Sequence, residues 1–258
     1  MRLMKRILSA AAVLALSASL LVGCSSGTAS SVPVSASSAA ESTVSSVEET
    51  ASSAVDENEA AAAQLLNDLT GSYQELWPVI LADEYKQTWL DDCTALVGED
   101  NAEAAFEKLS SMVTGDVYGE DAVKAYANGG GASFCGFTNS LATLTFDGET
   151  STISGTDKDG NVLFSHTYHY IGMEPVHGLY EFESDDADSG EFTYFFLAPD
   201  TSAETYHIEF RYGSDAEALS QYDAGEYAYW VASGISTDCD QTMIDNCIEL
   251  FCTENLAG

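Results

Sequence analysis

Six times between residues 141 and 212 the chain alternates apolar and polar side chains with period two, and this pattern sets the fold class. The runs are Leu141–Phe146, Glu149–Ser154, Val162–Tyr170, Gly178–Glu183, Phe192–Leu197 and Thr205–Tyr212. Alternation at every second residue suits a strand with one side in a core and one side outside it. Turn chemistry divides the runs at Asp147-Gly148, Asp159-Gly160, Asp188-Ser189-Gly190 and Gly213-Ser214-Asp215. Short strands at this spacing predict an antiparallel barrel or sandwich.

Helices flank this core. Glu57–Leu69 places Ala61, Leu65, Leu66 and Leu69 near helical spacing. Tyr85 to about Ala127 also reads as mostly helical, with turns at Gly98-Glu99-Asp100-Asn101 and Gly119-Glu120-Asp121. Gly129-Gly130-Gly131 closes that stretch; no Lys-Ser/Thr follows, so it reads as a break and not a phosphate loop. In a last helix, expected to be capped by Ser236 or Thr237, Ile244, Cys247, Ile248 and Phe251 form one apolar face toward the barrel.

The N-terminus follows different rules. Arg2, Lys5 and Arg6 precede an apolar run, Ile7 to Val22, too short to span a bilayer with assurance. It ends in Leu21-Val22-Gly23-Cys24, which resembles a bacterial lipobox. Residues 1–24 are therefore expected to be a lipoprotein signal peptide, with Cys24 acylated and the chain held at the extracytoplasmic face of the cell membrane. Residues 25–58 are rich in Ser and Ala, with one Pro33 and no aromatic residue before Tyr73. Such a segment buries too little apolar surface to offset its ordering entropy. It is expected to be a disordered tether with a reach of roughly 30 Å. Residues 59–258 form the folded domain.

Charge narrows the partners. The chain has 42 Asp and Glu against 8 Lys and Arg, a formal charge of −34. Beyond the leader only Lys86, Lys108, Lys124, Lys158 and Arg211 are cationic. Phosphate backbones are repelled by such a surface, so nucleic acid is excluded as a partner. Cations and neutral molecules fit better.

Enzyme signatures are absent: there is no Gly-x-Ser-x-Gly, no His-Glu-x-x-His and no Cys-x-x-Cys. A non-catalytic protein is expected. Of the four histidines, His166 and His169 lie three apart on one strand and face opposite sides. His207 shares a strand face with Thr205 and Glu209, and Asp200 lies just upstream. One imidazole with carboxylates on one wall could hold a divalent ion. Asp157-Lys158-Asp159-Gly160-Asn161 lacks the spaced acids of a calcium loop and reads as a hairpin turn. Glu183 to Glu191 gathers five acids in what reads as a solvated loop. Five cysteines follow the leader: Cys93, Cys135, Cys239, Cys247 and Cys252. The last three share one predicted helix at separations too large for bridging within it, so any disulfide runs from there to Cys93 or Cys135.

Several of these segments resemble one family in order. Gly71-Ser-Tyr73-Gln-Glu-Leu-Trp77-Pro78-Val-Ile80 resembles the opening Gly-x-Trp-Gln-x-x-Tyr-Pro-Leu-Leu of the ZinT/YodA family, exported bacterial zinc- and cadmium-binding proteins with a lipocalin-like (calycin) barrel. Cys135-Gly136-Phe137 is similar to its strand entry, Thr167-Tyr168-His-Tyr170-Ile-Gly172 to its Lys-Tyr-x-Tyr-x-Gly, and Tyr180-Glu-Phe182-Glu183 to its Tyr-Leu-Phe-Glu. The resemblance implies an antiparallel calycin barrel and zinc held by three histidines. By position those ligands fall at Asp200, Thr205 and His207. With Thr a poor ligand, the implied metal site is Asp200, His207 and Glu209, more oxygen-rich than three imidazoles. The implied function is capture or transfer of a divalent metal, zinc foremost, alongside a metal ABC transporter. The alternative is a binding module that has lost the metal and holds a small molecule in a barrel lined by Tyr73, Trp77, Tyr168, Tyr170, Tyr180 and Phe182, or acts as a surface interaction domain.

Overall fold

A computed structural model describes residues 57–198 and 207–256. The leader with Cys24, the tether up to residue 56, and Asp200 and Thr205 of the expected metal site lie outside the described residues.

Helix α1 covers 57–68, and β1, Gly71–Glu75, follows directly. A helical insert then runs through α2 (Leu76–Ile80), α3 (Lys86–Val97), α4 (Glu99–Val113) and α5 (Glu120–Ala127). Pro78 sits in the first turn of α2, where its missing N–H has no intrahelical partner to lose. The turn before α5 needs glycine twice over. Gly119 has φ of 72°, and a Cβ there would lie 2.6 Å from the Glu226 carbonyl oxygen.

Seven more strands follow: β2 (Thr143–Asp147), β3 (Thr152–Thr156), β4 (Val162–Met173), β5 (Tyr180–Ser184), β6 (Tyr194–Leu197), β7 (His207–Gly213) and β8 (Ala232–Ser236). A short helix α6, Ala216–Leu219, separates the last two. Each strand pairs antiparallel with its neighbour in sequence, and β8 pairs with β1 to close the barrel. Closure leaves no open sheet edge.

The interior is filled by rings. Phe146, Phe164, Tyr168, Phe182, Phe195, Phe210, Tyr212 and Trp230 form one buried cluster, and Leu65, Leu66 and Leu69 of α1 join it. Tyr73, Tyr168 and Phe182 are thus core side chains, not the lining of a ligand chamber, because neighbouring rings occupy the space they face. Trp77 lies in the helical layer with its ring against Phe251, 4.7 Å between centroids. Tyr170 and Tyr180 are partly buried and pack against the same cluster. The expected lining is thus corrected: Tyr73, Tyr168 and Phe182 are core, and Trp77 lies outside the barrel.

The second core lies between the barrel and the helices. Trp77, Ile80, Trp89, Cys93, Leu109, Ile244, Ile248 and Phe251 pack there with Ile235 of β8. The last helix, α7, spans Gln241–Leu256. Ile244, Cys247, Ile248 and Phe251 are its buried face as expected, but its cap is Asp240, whose Oδ1 accepts from Met243 N at 3.0 Å. Ser236 instead ends β8, and Cys239 precedes the helix. Among the described residues no helix is long and apolar enough to cross a membrane.

Candidate functional site

Strand β7 divides its side chains cleanly. Ile208, Phe210 and Tyr212 point into the barrel cluster, so His207, Glu209 and Arg211 face outward. The expectation that His207 and Glu209 share a face holds, while the face itself belongs to the outside of the barrel. Opposite them, Ile235 and Ser233 of β8 pair with His207 and Glu209, and Phe196 of β6 pairs with Arg211. His207 is half-buried, and burial pushes its imidazole down to about 4, which keeps it neutral at pH 7. Among the described residues no group of three His, Cys, Asp or Glu side chains is placed to hold a metal ion. The described wall supplies two donors of the expected set, His207 and Glu209.

Arg211 is the one buried cation among the described residues; Lys86, Lys108, Lys124 and Lys158 are all exposed. Its Nη1 donates to the Leu219 carbonyl, and its Nη2 to those of Tyr227 at 2.6 Å and Gln221 at 3.3 Å. Those bonds hold the segment after α6 onto the outer wall. The guanidinium carbon also lies 5.9 Å from the Tyr222 ring centroid. Burial lowers the Arg211 pKa to about 10, so the charge persists at neutral pH. Its Nε–H has no acceptor.

A cavity of ≈ 130 Å³ lies against this wall, outside the barrel. Glu209 and Arg211 of β7 and Ser233 of β8 line one side; Trp77 of α2, Val113 of α4 and Tyr126 of α5 line the other. The aromatic side is tied together by hydroxyls. Ser133 Oγ is hydrogen-bonded to Tyr126 at 3.3 Å and to Tyr222 at 3.1 Å. The Tyr126 ring in turn stacks on Tyr229 at 3.7 Å. Cys135 closes the same region, its thiol pushed up by burial and then by the Glu209 charge. Trp77 Nε1 is buried and without an acceptor. It lies near enough to Cys135 to favour the thiolate, but outside hydrogen-bonding geometry. Two N–H groups of residues beside the cavity are thus buried without an acceptor, each at a cost of about 1–3 kcal/mol.

At the cavity's rim His177 Nδ1 lies 3.1 Å from Oε2 of the fully buried Glu174. That carboxylate also accepts from the backbone of Val176 and His177, which folds the β4–β5 connection into place.

The remaining candidates are accounted for locally. His166 and His169 do face opposite ways, and each finds an aspartate at 2.7 Å: Asp186 and Asp185 respectively. The acidic Glu183–Glu191 segment is thereby partly engaged. Asp157 accepts from the backbone of Asp159 and Asn161, as a hairpin turn requires, and the Asn161 bonds hold its carboxyl below the usual range. All five described cysteines are free thiols. Cys93 and Cys252 approach to 4.0 Å across α3 and α7, one of the pairings the sequence left open.

Sequence reasoning missed the cavity. Arg211, Ser133 with Cys135, His177 and Tyr222 come from four separate segments, and Trp77 was assigned to the wrong enclosure. One signal was present: Arg211 falls on the same parity as His207 and Glu209, in a chain with few cations.

These features define a closed, up-and-down antiparallel barrel of eight strands with a helical layer on one flank. No protein-family model matches the chain, and no curated protein matches it. Among solved structures it is similar to the Zn(II)-bound ZinT-like domain of Streptococcus pneumoniae AdcA, with 15% identity over 71% of this chain and 89% of that one, at a TM-score of 0.45. It is also similar to Zn(II)-bound AdcA from Streptococcus pneumoniae, with 13% identity over 72% of this chain and 35% of that one, at a TM-score of 0.43.

Proposed function

We propose that this chain is a non-catalytic, extracytoplasmic binding protein, anchored through Cys24 and its tether, whose recognition face is the outer side of β7. The observation that carries this reading is the outward row His207, Glu209 and Arg211, of which Glu209 and Arg211 line a cavity while the barrel interior is filled. At the start of the row His207 and Glu209, with Asp200 from the preceding connection, form the seat for one divalent cation. Zinc is the first ion to test, because imidazole with carboxylates suits it and water can complete the shell. The protein captures the ion or hands it to a metal ABC transporter in the same membrane. Calorimetric titration of the chelator-treated protein with zinc is expected to give one site that weakens at least tenfold in His207→Ala; unchanged affinity in that variant rejects the seat.

A second reading, a small-molecule carrier, is favoured by the mostly apolar cavity. Its chamber is the cleft between β7 and the helical insert.

A further inference from the structure

We infer that Cys93 and Cys252 are a disulfide-forming pair, joined while the exported chain folds, and that their bond ties the last helix to the helical insert. The inference rests on export of the chain and needs neither the metal seat nor the cleft. Three observations lead to it.

First, the two sulfurs already meet. Cys93 Sγ of α3 and Cys252 Sγ of α7 are 4.0 Å apart, and both residues are wholly buried. A disulfide measures roughly 2.05 Å, so closure asks each sulfur to move by about 1 Å. Other contacts hold the two helices in the same alignment. One turn before Cys93, the Trp89 ring meets that of Phe251, the sequence neighbour of Cys252, edge to face at 5.8 Å. Thr88 Oγ1 lies 3.5 Å from Asp245 Oδ1.

Second, the pair spans most of the domain. The two cysteines are 159 positions apart, with strands β2 to β8 between them. A bond across so long a loop removes much of the freedom of the unfolded chain.

Third, burial fixes when the bond forms. It pushes both thiols up, so neither supplies a thiolate at neutral pH once the helices have packed. The exchange therefore belongs to the folding chain. One cysteine thiolate attacks an external disulfide, small-molecule or oxidoreductase, and expels one thiolate. The other cysteine, deprotonated, attacks the first cysteine's sulfur in the mixed disulfide and expels the second. One external S–S bond is exchanged for one protein S–S bond; the two cysteines lose two protons and two electrons, and the external disulfide becomes two thiols. After packing, the same burial keeps reductant out.

The test maps the cysteines in two arms. In the first, cells making the protein are denatured in N-ethylmaleimide, and the chain is digested after glutamate without reductant. Cleavage isolates each partner, Cys93 in residues 85–99 and Cys252 in residues 250–254. Mass spectrometry should find these two peptides joined, two hydrogens lighter than their sum. In the second, the reduced full chain carrying Cys24→Ser is refolded in oxidised and reduced glutathione and mapped in the same way. The oxidised form should melt roughly 5 °C or more above the reduced form. That gain should vanish in Cys93→Ser and Cys252→Ser and persist in Cys135→Ser; if a serine variant does not fold, the map of the unsubstituted pair decides. Both thiols alkylated after refolding in glutathione, or either one joined to another cysteine, overturns the inference. Protease added to spheroplasts reports on export separately. Free thiols in an exported chain sink this inference alone, and a protease-resistant chain that forms the bond in glutathione sinks the export reading alone.

Discussion

The inside and the outside of strand β7 are built from alternate residues of one sequence, yet they are finished to different degrees. Inward, Phe210 and Tyr212 pack ring against ring with Phe195 at 6.3 and 5.4 Å, and the Tyr212 hydroxyl accepts from Thr138 N and Oγ1 while donating to the Thr138 carbonyl. Every polar atom of that tyrosine is used. Outward, Arg211 is equally buried but retains an unpaired Nε–H, and across the cavity Trp77 retains another. The inward polar groups of β7 are satisfied, while two buried N–H groups at its outer wall are not, and that difference sets the outer face apart.

Substitutions can break that contrast in order of size. Phe195→Ala, in the middle of the ring cluster, should cost about 3–5 kcal/mol by urea unfolding, as large-to-small core changes do. A loss below about 1 kcal/mol would mean that the interior is not close-packed. Tyr212→Phe removes a hydroxyl that serves three bonds to Thr138 and should cost about 1–3 kcal/mol, since Thr138 N is left without its acceptor. Trp77→Phe makes the opposite case. It removes a donor that bonds nothing, so its cost, about 1–2 kcal/mol, should come from the smaller ring packed on Phe251 and not from a lost hydrogen bond. A loss as large as that of Phe195→Ala would mean that the indole N–H is bonded after all.

The pH dependence sharpens the same comparison. Burial lowers the His207 pKa to about 4, below the ordinary 6.5 of an unfolded imidazole. Between those values the unfolded chain binds more protons than the folded one, so the neutral imidazole's contribution to stability is complete above pH 6.5 and is lost as pH falls toward 4. In chelator-treated protein, the rise of Tm with pH across this window should be shallower in His207→Gln than in wild type. An identical slope would place His207 in solvent.

Much of the barrel was legible because side-chain alternation is a local property. All six period-two runs correspond to strands, and the glycine turns at Gly98 and Gly119 separate three helices as expected. Two strands left no such trace, β1 at Gly71–Glu75 and β8, Ala232-Ser-Gly-Ile-Ser236; the second is the more instructive. Its inward positions are small because its neighbours are large: a Cβ on Gly234 would meet Ile208 Cγ1 at 3.1 Å and Tyr73 Cβ at 3.4 Å. Hydrophobic periodicity cannot register a residue selected to make room. The cap of α7 was misplaced for a related reason, since Ser236 and Thr237 are both sound caps locally and only the pairing of β8 with β1 claims Ser236 for the sheet.

The candidate site was less legible. His207 and Glu209 could be assigned to one face by counting, but which side of the barrel that face belongs to depends on Ile208, Phe210 and Tyr212 winning the interior. The cleft has no local signature at all, because Trp77, Ser133, Cys135, His177 and Tyr222 reach it from distant segments. Parity of Arg211 with His207 and Glu209 was the single readable hint.

The three tryptophans of this chain allow the central claim to be tested directly. Trp89 Nε1 donates to the Ile80 carbonyl at 2.7 Å and Trp230 Nε1, in the barrel cluster, to that of Gly136 at 2.9 Å, while Trp77 Nε1 is buried beside the cleft without an acceptor. In a ¹⁵N-labelled, chelator-treated sample titrated with zinc, the account predicts that the amide signals of His207 and Glu209 move while the Trp230 indole signal stays fixed. Movement of the Trp230 signal with the β7 amides unchanged would put the ligand in the barrel, and would contradict the assignment of binding to the outer face of β7.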